Sequence, residues 1–252
     1  MRTVFITGAS AGFGAACARR FAQAGDRLIL TARRMDKLEQ LRAELGDVPV
    51  HLAQLDVREQ EAVRSAVAGL PAEFASVDVL VNNAGLALGL EPSWQVDMAD
   101  WEQMIDTNIK GLLYCTHALL AGMVERRRGH VINIGSIAGS WPYAGGNVYG
   151  ATKAFVLQFT RNLRTDLHGT GVRATCIAPG MAETEFSMVR FKGDDQKAAK
   201  VYEGTRALTA EDIAECVFWC ASLPEHVNIN QLEVMSTDQT WGATMVYRGE
   251  GG

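Results

Sequence analysis

The sequence has no surplus of positive charge. It carries 24 basic and 29 acidic side chains, a net charge of −5, with no long run of either sign. That balance argues against nucleic acid and against an anionic membrane surface as partners. Cysteine is sparse: Cys17, Cys115, Cys176, Cys216 and Cys220 form an odd set of 5 with no CxxC pair. Reduced, buried thiols of a cytoplasmic protein are expected, with Cys216 and Cys220 on one packed helix face. Histidines 51, 117, 130, 168 and 226 lack any HxxxH, HExxH or cysteine partner at ligand spacing, so no metal is expected. The 24 residues from Gly129 to Thr152 hold no Asp, Glu, Lys or Arg, yet contain six glycines and a proline. They do not read as a membrane span. The apolar run Thr3 to Ile6 is too short for a secretory signal.

No internal repeat and no Pro/Gly-rich linker interrupts the chain, and 252 residues suit one core. A single domain over residues 1–252 is therefore expected. Apolar, β-branched runs at Thr3–Thr7, Arg27–Ala32, Val50–Gln54, Val77–Asn82, His130–Gly135, Val172–Ile177 and Ile229–Met235 read as strands. Amphipathic helices are expected at 13–24, 36–45, 59–75, 100–126, 149–168 and 210–222. This βαβ alternation predicts an α/β protein with a parallel sheet, right-handed crossovers and helices on both faces. Two longer connections, Leu86–Met98 and an insert over 181–206, fall at the carboxyl edge, where such sheets bind ligands.

Strand one runs into Gly8-Ala9-Ser10-Ala11-Gly12-Phe13-Gly14, a glycine turn opening a helix. Glycines there let backbone N–H groups approach a phosphate closely. The spacing GxxxGxG differs from GxGxxG, and no Gly-Lys-Ser/Thr ends it as in a P-loop. After strand two the chain reads Arg33-Arg34 and carries no acid. An Asp or Glu at that place binds the ribose 2′-hydroxyl of NAD, whereas guanidiniums suit the 2′-phosphate of NADP. NADP(H) is the expected cofactor.

Tyr149 and Lys153 share one helix face at i, i+4, and chance predicts only about 0.12 such pairs in this composition. Ser136 ends the fifth strand on the same edge. A free tyrosine titrates near about 10, so acid–base work needs a bias toward phenolate, which an ammonium and an oxidised nicotinamide would supply. Ser136 is placed to hydrogen-bond a substrate oxygen as charge develops there. It is no hydrolase nucleophile, because Ile134-Gly135-Ser136-Ile137-Ala138 is not GxSxG.

Together with Asn82-Asn83-Ala84-Gly85, Asn108 and Pro179-Gly180, these motifs resemble the short-chain dehydrogenase/reductase family. The resemblance implies a Rossmann-like, doubly wound, seven-stranded sheet and a homotetramer built through the two long helices. It implies Tyr149 as proton donor and acceptor, with Lys153 holding the nicotinamide ribose. Asn108 would support a water that relays protons to Lys153. Asp56 and Val57 would contact adenine, Asn83, Ala84 and Gly85 would border its ribose, and Pro179, Gly180, Met181 and Thr184 would embrace the nicotinamide and phosphates.

The segments Leu86–Gly89, Ser140–Asn147, Val189–Asp195 and Leu223–Asn230 are further similar to one subgroup, the NADP-dependent 3-hydroxy acid dehydrogenases. Serine, allo-threonine and related acids are the implied substrates. A reductase of small anionic aldehydes such as sulfoacetaldehyde is the alternative, and a non-catalytic NADP(H)-binding regulator a remote one. A short acid needs a cation. Arg190 and Lys192 stand in the insert, and Arg190 reads equally as a carboxylate clamp or as a surface or subunit contact. Trp141, Pro142 and Tyr143 read as a pocket wall, with packing or a subunit contact an equal explanation, and Glu183, Glu185, Asp194 and Asp195 as solvated lid charges. The tail over 236–252, with Trp241, Met245 and Tyr247, suggests a contact with a neighbouring subunit.

Overall fold

The seven apolar runs pair into one parallel sheet. In the computed structural model, which describes residues 1–241, these are β1 (Thr3–Thr7), β2 (Arg27–Ala32), β3 (Val50–Gln54), β4 (Val79–Asn82), β5 (Gly129–Ile134), β6 (Val172–Pro179) and β7 (Gln231–Val234). Their spatial order is β3-β2-β1-β4-β5-β6-β7, and every pairing is parallel. The chain winds outward from β1 to β3 and then resumes at β4 on the other side of β1. That reversal opens a crevice beyond the carboxyl ends of the two strands.

The helices are α1 (Gly12–Gln23), α2 (Met35–Glu44), α3 (Gln60–Ala68), α4 (Met98–Ile105), α5 (Leu112–Glu125), α6 (Asn147–Asp166), α7 (Glu185–Arg190), α8 (Asp195–Lys200) and α9 (Ala210–Ser222). Successive strand residues point to opposite faces. Val4 and Ile6 of β1 therefore enter a core with Phe21, Leu38 and Val217 from α1, α2 and α9. Phe5, between them, enters a second core with Val63, Leu119 and Leu163 from α3, α5 and α6.

Several expected boundaries move. The helix expected over 59–75 stops at Ala68. Gly69 closes it by donating to Ser65 O at 2.9 Å, and Pro71 has no N–H to continue it. Phe74 is then buried from a turn rather than a helix. The helix expected over 100–126 contains a π-helical turn, Asp106–Gly111, between α4 and α5. Apolar periodicity does not register one wide turn in an otherwise continuous helix. β4 starts two residues later than expected, β6 runs on to Pro179, and β7 is shorter at both ends. All five thiols are free, with Cys216 half-buried and the others buried.

Candidate active site

The dinucleotide end is built by packing between β1, α1 and β4. Gly8 has φ +65°, and a Cβ added there would lie 2.9 Å from Ala84 Cα. At Gly14 a Cβ would meet Gly8 O at 2.4 Å, so only glycine lets α1 close on the loop. Asn83 holds the turn by donating from Nδ2 to Thr7 O at 2.9 Å and Gly8 O at 3.1 Å. Thr7 Oγ1 returns the clamp, accepting from the Asn83 and Ala84 N–H groups. Behind it, Asn82 donates to Asn133 Oδ1 at 2.8 Å and Thr116 Oγ1 at 2.9 Å, tying β4 to β5 and α5.

Beyond this loop a cleft of about 590 Å³ follows the carboxyl edge of the sheet. Gly8, Ser10, Ala11, Gly12 and Phe13 line one end with Arg33, Arg34, Asp56 and Val57. Asn83, Ala84, Gly85, Pro179, Gly180, Met181 and Thr184 line its middle. Ala9 and Gly14 lie behind the wall rather than on it: Ala9 is fully buried and donates to Thr31 O at 3.0 Å. The first end fits a phosphorylated dinucleotide, offering bare backbone, two guanidiniums and the Ser10 hydroxyl. Asp56, on the same wall, is already held by Arg58 at 2.6 Å, which keeps its carboxyl below the usual range.

At the far end Ser136, Tyr149 and Lys153 share one wall. Ser136 caps a short 3₁₀ turn, its Oγ accepting from Ala138 N at 3.1 Å. Lys153 is buried, donates from Nζ to Ile134 O at 2.9 Å and lies 5.8 Å from the Tyr149 ring. Burial pushes the Lys153 ammonium down to about 8. Burial also pushes Tyr149 up to about 12, against the pull of Arg190 and of the Ser136 hydroxyl. The expected lowering of Tyr149 is thus not produced by these side chains alone; desolvation of the phenolate outweighs them.

Asn108 is brought to the site from behind. It sits in the π-helical turn, buried, and does not line the cleft. Its Oδ1 accepts from Leu86 N at 2.9 Å, while Nδ2 donates to Leu86 O at 2.8 Å and Thr152 Oγ1 at 3.0 Å. The amide therefore fastens the Leu86 connection to α6.

The insert crosses the substrate end and separates the two candidate cations, Arg190 and Lys192. Lys192 is drawn away to Asp100 at 2.7 Å. The Arg190 guanidinium instead lies 5.1 Å above the Tyr149 ring and 5.2 Å from Phe186. Its Nη2 donates to Tyr143 Oη at 3.0 Å, and its buried Nε has no acceptor among the described residues. Trp141 and Tyr143 line the cleft, but Pro142 is exposed and does not. Glu185 is exposed, as expected, but also pairs with Arg34 at 3.1 Å.

Several lining residues escaped the sequence reading. Phe186 packs on Tyr149 with ring centroids 5.6 Å apart, Arg58 anchors Asp56, and Gln239 accepts from Met181 N at 2.8 Å. Only Arg58 left a usable signal, its charge two positions after Asp56. Of the tail, Met245 and Tyr247 lie outside the described residues.

A doubly wound sheet whose cleft opens at the β1/β4 switch point defines a dinucleotide-binding α/β protein. A model of the family described as short chain dehydrogenase matches residues 2–195. The chain belongs to the short-chain dehydrogenase family of oxidoreductases. It is 62% identical over 246 residues to the NADP-dependent 3-hydroxy acid dehydrogenase YdfG of Salmonella typhi, covering 97% of this chain and 99% of that one. Sulfoacetaldehyde reductase 2 of Chromohalobacter salexigens is 57% identical over 247 residues, covering 97% and 98%. The closed form of serine dehydrogenase complexed with NADP+ superposes with a TM-score of 0.93 at 61% identity, covering 94% of this chain and 96% of that one.

Proposed function

We propose that this chain is an NADP(H)-dependent dehydrogenase of short 3-hydroxy acids, acting on the C3 hydroxyl or carbonyl. One observation carries the substrate class: the half-buried Arg190 guanidinium stands over Tyr149 with a buried Nε–H that has no acceptor among the described residues. A buried unpaired donor favours an anion arriving from the cleft. Ser10, Arg33 and Arg34 hold the 2′-phosphate, and Gly8 to Phe13 the bridging phosphates. NADP+ in that cleft supplies the hydride acceptor.

The chain's own residues orient the acid and move one proton. Arg190 takes the acid group, which sets the C3 hydroxyl toward Ser136 and Tyr149. Ser136 donates a hydrogen bond to the C3 oxygen. Tyr149 Oη removes the hydroxyl proton during oxidation and returns it during reduction, and the Lys153 charge favours its phenolate. Residues 181–206 close over the substrate as a lid. The related enzymes include a 3-hydroxy acid dehydrogenase and a sulfoacetaldehyde reductase, whose substrates carry a carboxylate or a sulfonate, and Arg190 would serve either anion. The enzyme works in the cytoplasm as a homotetramer, through α4–α5 and α6. Among the described residues no helix is long and apolar enough to cross a membrane.

The test is the rise in reduced-nicotinamide absorbance with NADP+ or NAD+ and L-serine, D-serine, allo-threonine, 3-hydroxypropionate or 3-hydroxyisobutyrate. Turnover preferring NADP+ on one or more of these acids is expected, and Tyr149→Phe should lower kcat by about 10²–10⁴ while leaving NADP+ binding intact. Silence on every acid, with sulfoacetaldehyde reduced by NADPH, overturns the substrate and keeps the chemistry.

A further inference from the structure

Arg34 already holds an anion. Its Nη2 donates to Ser10 Oγ at 3.3 Å and to Glu185 Oε2 at 3.1 Å. Glu185 is not a neighbour in sequence; it is the first residue of α7 and lines the same cleft. Packing presses that helix start against the glycine loop, with Thr184 Cβ 3.6 Å from where a Cβ of Gly12 would stand. Arg33 has no ion pair among the described residues, and Asp56 is occupied by Arg58. Glu185 is therefore the carboxylate that meets Arg34 where the sequence, read along β2, left no acid.

We propose that Glu185 is a cofactor-selectivity residue, whose carboxylate occupies Arg34 until the 2′-phosphate of NADP(H) displaces it. The inference rests on the reading of Arg33 and Arg34 as the phosphate site. Both anions claim one guanidinium, and they repel each other at that distance, so binding is an exchange rather than an addition. The phosphate wins because it carries more charge and three acceptor oxygens. A bare ribose 2′-hydroxyl has no charge with which to break the pair, so NAD+ leaves it in place. Both partners are about half exposed, 47% for Arg34 and 58% for Glu185, so the competing contact is weak and the exchange is easily driven.

The experiment is equilibrium titration of NADP+, NAD+ and adenosine 2′,5′-bisphosphate against wild type, Glu185→Gln, Arg34→Ala and the double variant. Glu185→Gln keeps the shape and removes the charge. It should tighten NADP+ and the bisphosphate about two- to five-fold, the range expected for an exposed pair, without tightening NAD+. The gain should shrink as salt rises and should disappear in the Arg34→Ala background, where no guanidinium remains to be contested. An unchanged NADP+ affinity, an equal gain for NAD+, or a gain that survives Arg34→Ala overturns the inference alone. A wild-type chain that does not prefer NADP+ overturns the inference and the cofactor assignment together.

Discussion

Tyr149 and Arg190 are coupled through a water-poor contact. Burial pushes the phenol up to about 12, and the guanidinium 5.1 Å away pulls it down. Oxidation consumes the phenolate form of Tyr149 and reduction consumes the phenol. The oxidation rate should therefore climb with pH and the reduction rate should fall. Arg190→Ala deletes the pull, so the rising limb should move to higher pH. The same substitution removes the acid clamp, and KM for a 3-hydroxy acid should rise about 10- to 100-fold, the worth of a charge-assisted hydrogen bond. KM for a neutral alcohol should stay put; an equal rise on both substrates would remove Arg190 from acid recognition.

At the level of elements, the β1–α1 joint carries the cofactor end. A methyl group at position 14 would sit 2.4 Å from Gly8 O and 2.9 Å from Ala9 Cα, and backbone atoms yield little. Gly14→Ala should destabilise the chain by about 1–3 kcal/mol and weaken NADP+ binding more than substrate binding. Urea unfolding and a cofactor titration check both. This joint was legible in the sequence because a glycine turn after an apolar run is a local pattern. The π-helical turn was not, because nothing in 3.6-residue periodicity marks one extra residue; within it Asn108 bonds a connection some twenty residues away. The early end of α3 was legible in hindsight: Gly69 and Pro71 outrank the apolar residues beyond them.

For the molecule as a whole, the active site is a source of instability. Lys153 holds its proton less tightly in the folded chain, at about 8, than its ordinary 10.5. Between those values the unfolded chain binds more protons, so stability rises with pH across that window. Below it the buried charge costs about 3 kcal/mol. Lys153→Met should remove that cost while leaving Ile134 O without its Nζ donor, an offset of about 1–3 kcal/mol. A net gain of about 1 kcal/mol is expected at pH 7, raising Tm by about 2–4 °C, with turnover lost and the rise in stability from about pH 8 to 10.5 flattened. Thermal unfolding at pH 7 and pH 10 reads both effects, and a Tm below wild type at pH 7 would show that the lost hydrogen bond outweighs the charge.

The alternation of strands and helices, the glycine turn, the Arg33-Arg34 pair and the Ser136/Tyr149/Lys153 set were all readable from residue order, because each is a short-range pattern of period, spacing or backbone freedom. Three matters were not. Arg190 and Lys192 are two residues apart and carry the same charge, yet one is half-buried over Tyr149 and the other is neutralised by Asp100. Glu185 stands 151 positions from Arg34 and still partners it. Burial also outweighs the pull of the neighbouring side chains on the Tyr149 phenol. Burial and charge pairing are sums over elements distant in the chain, and only their packing decides which cation is bare, which acid is held and which proton is hard to remove.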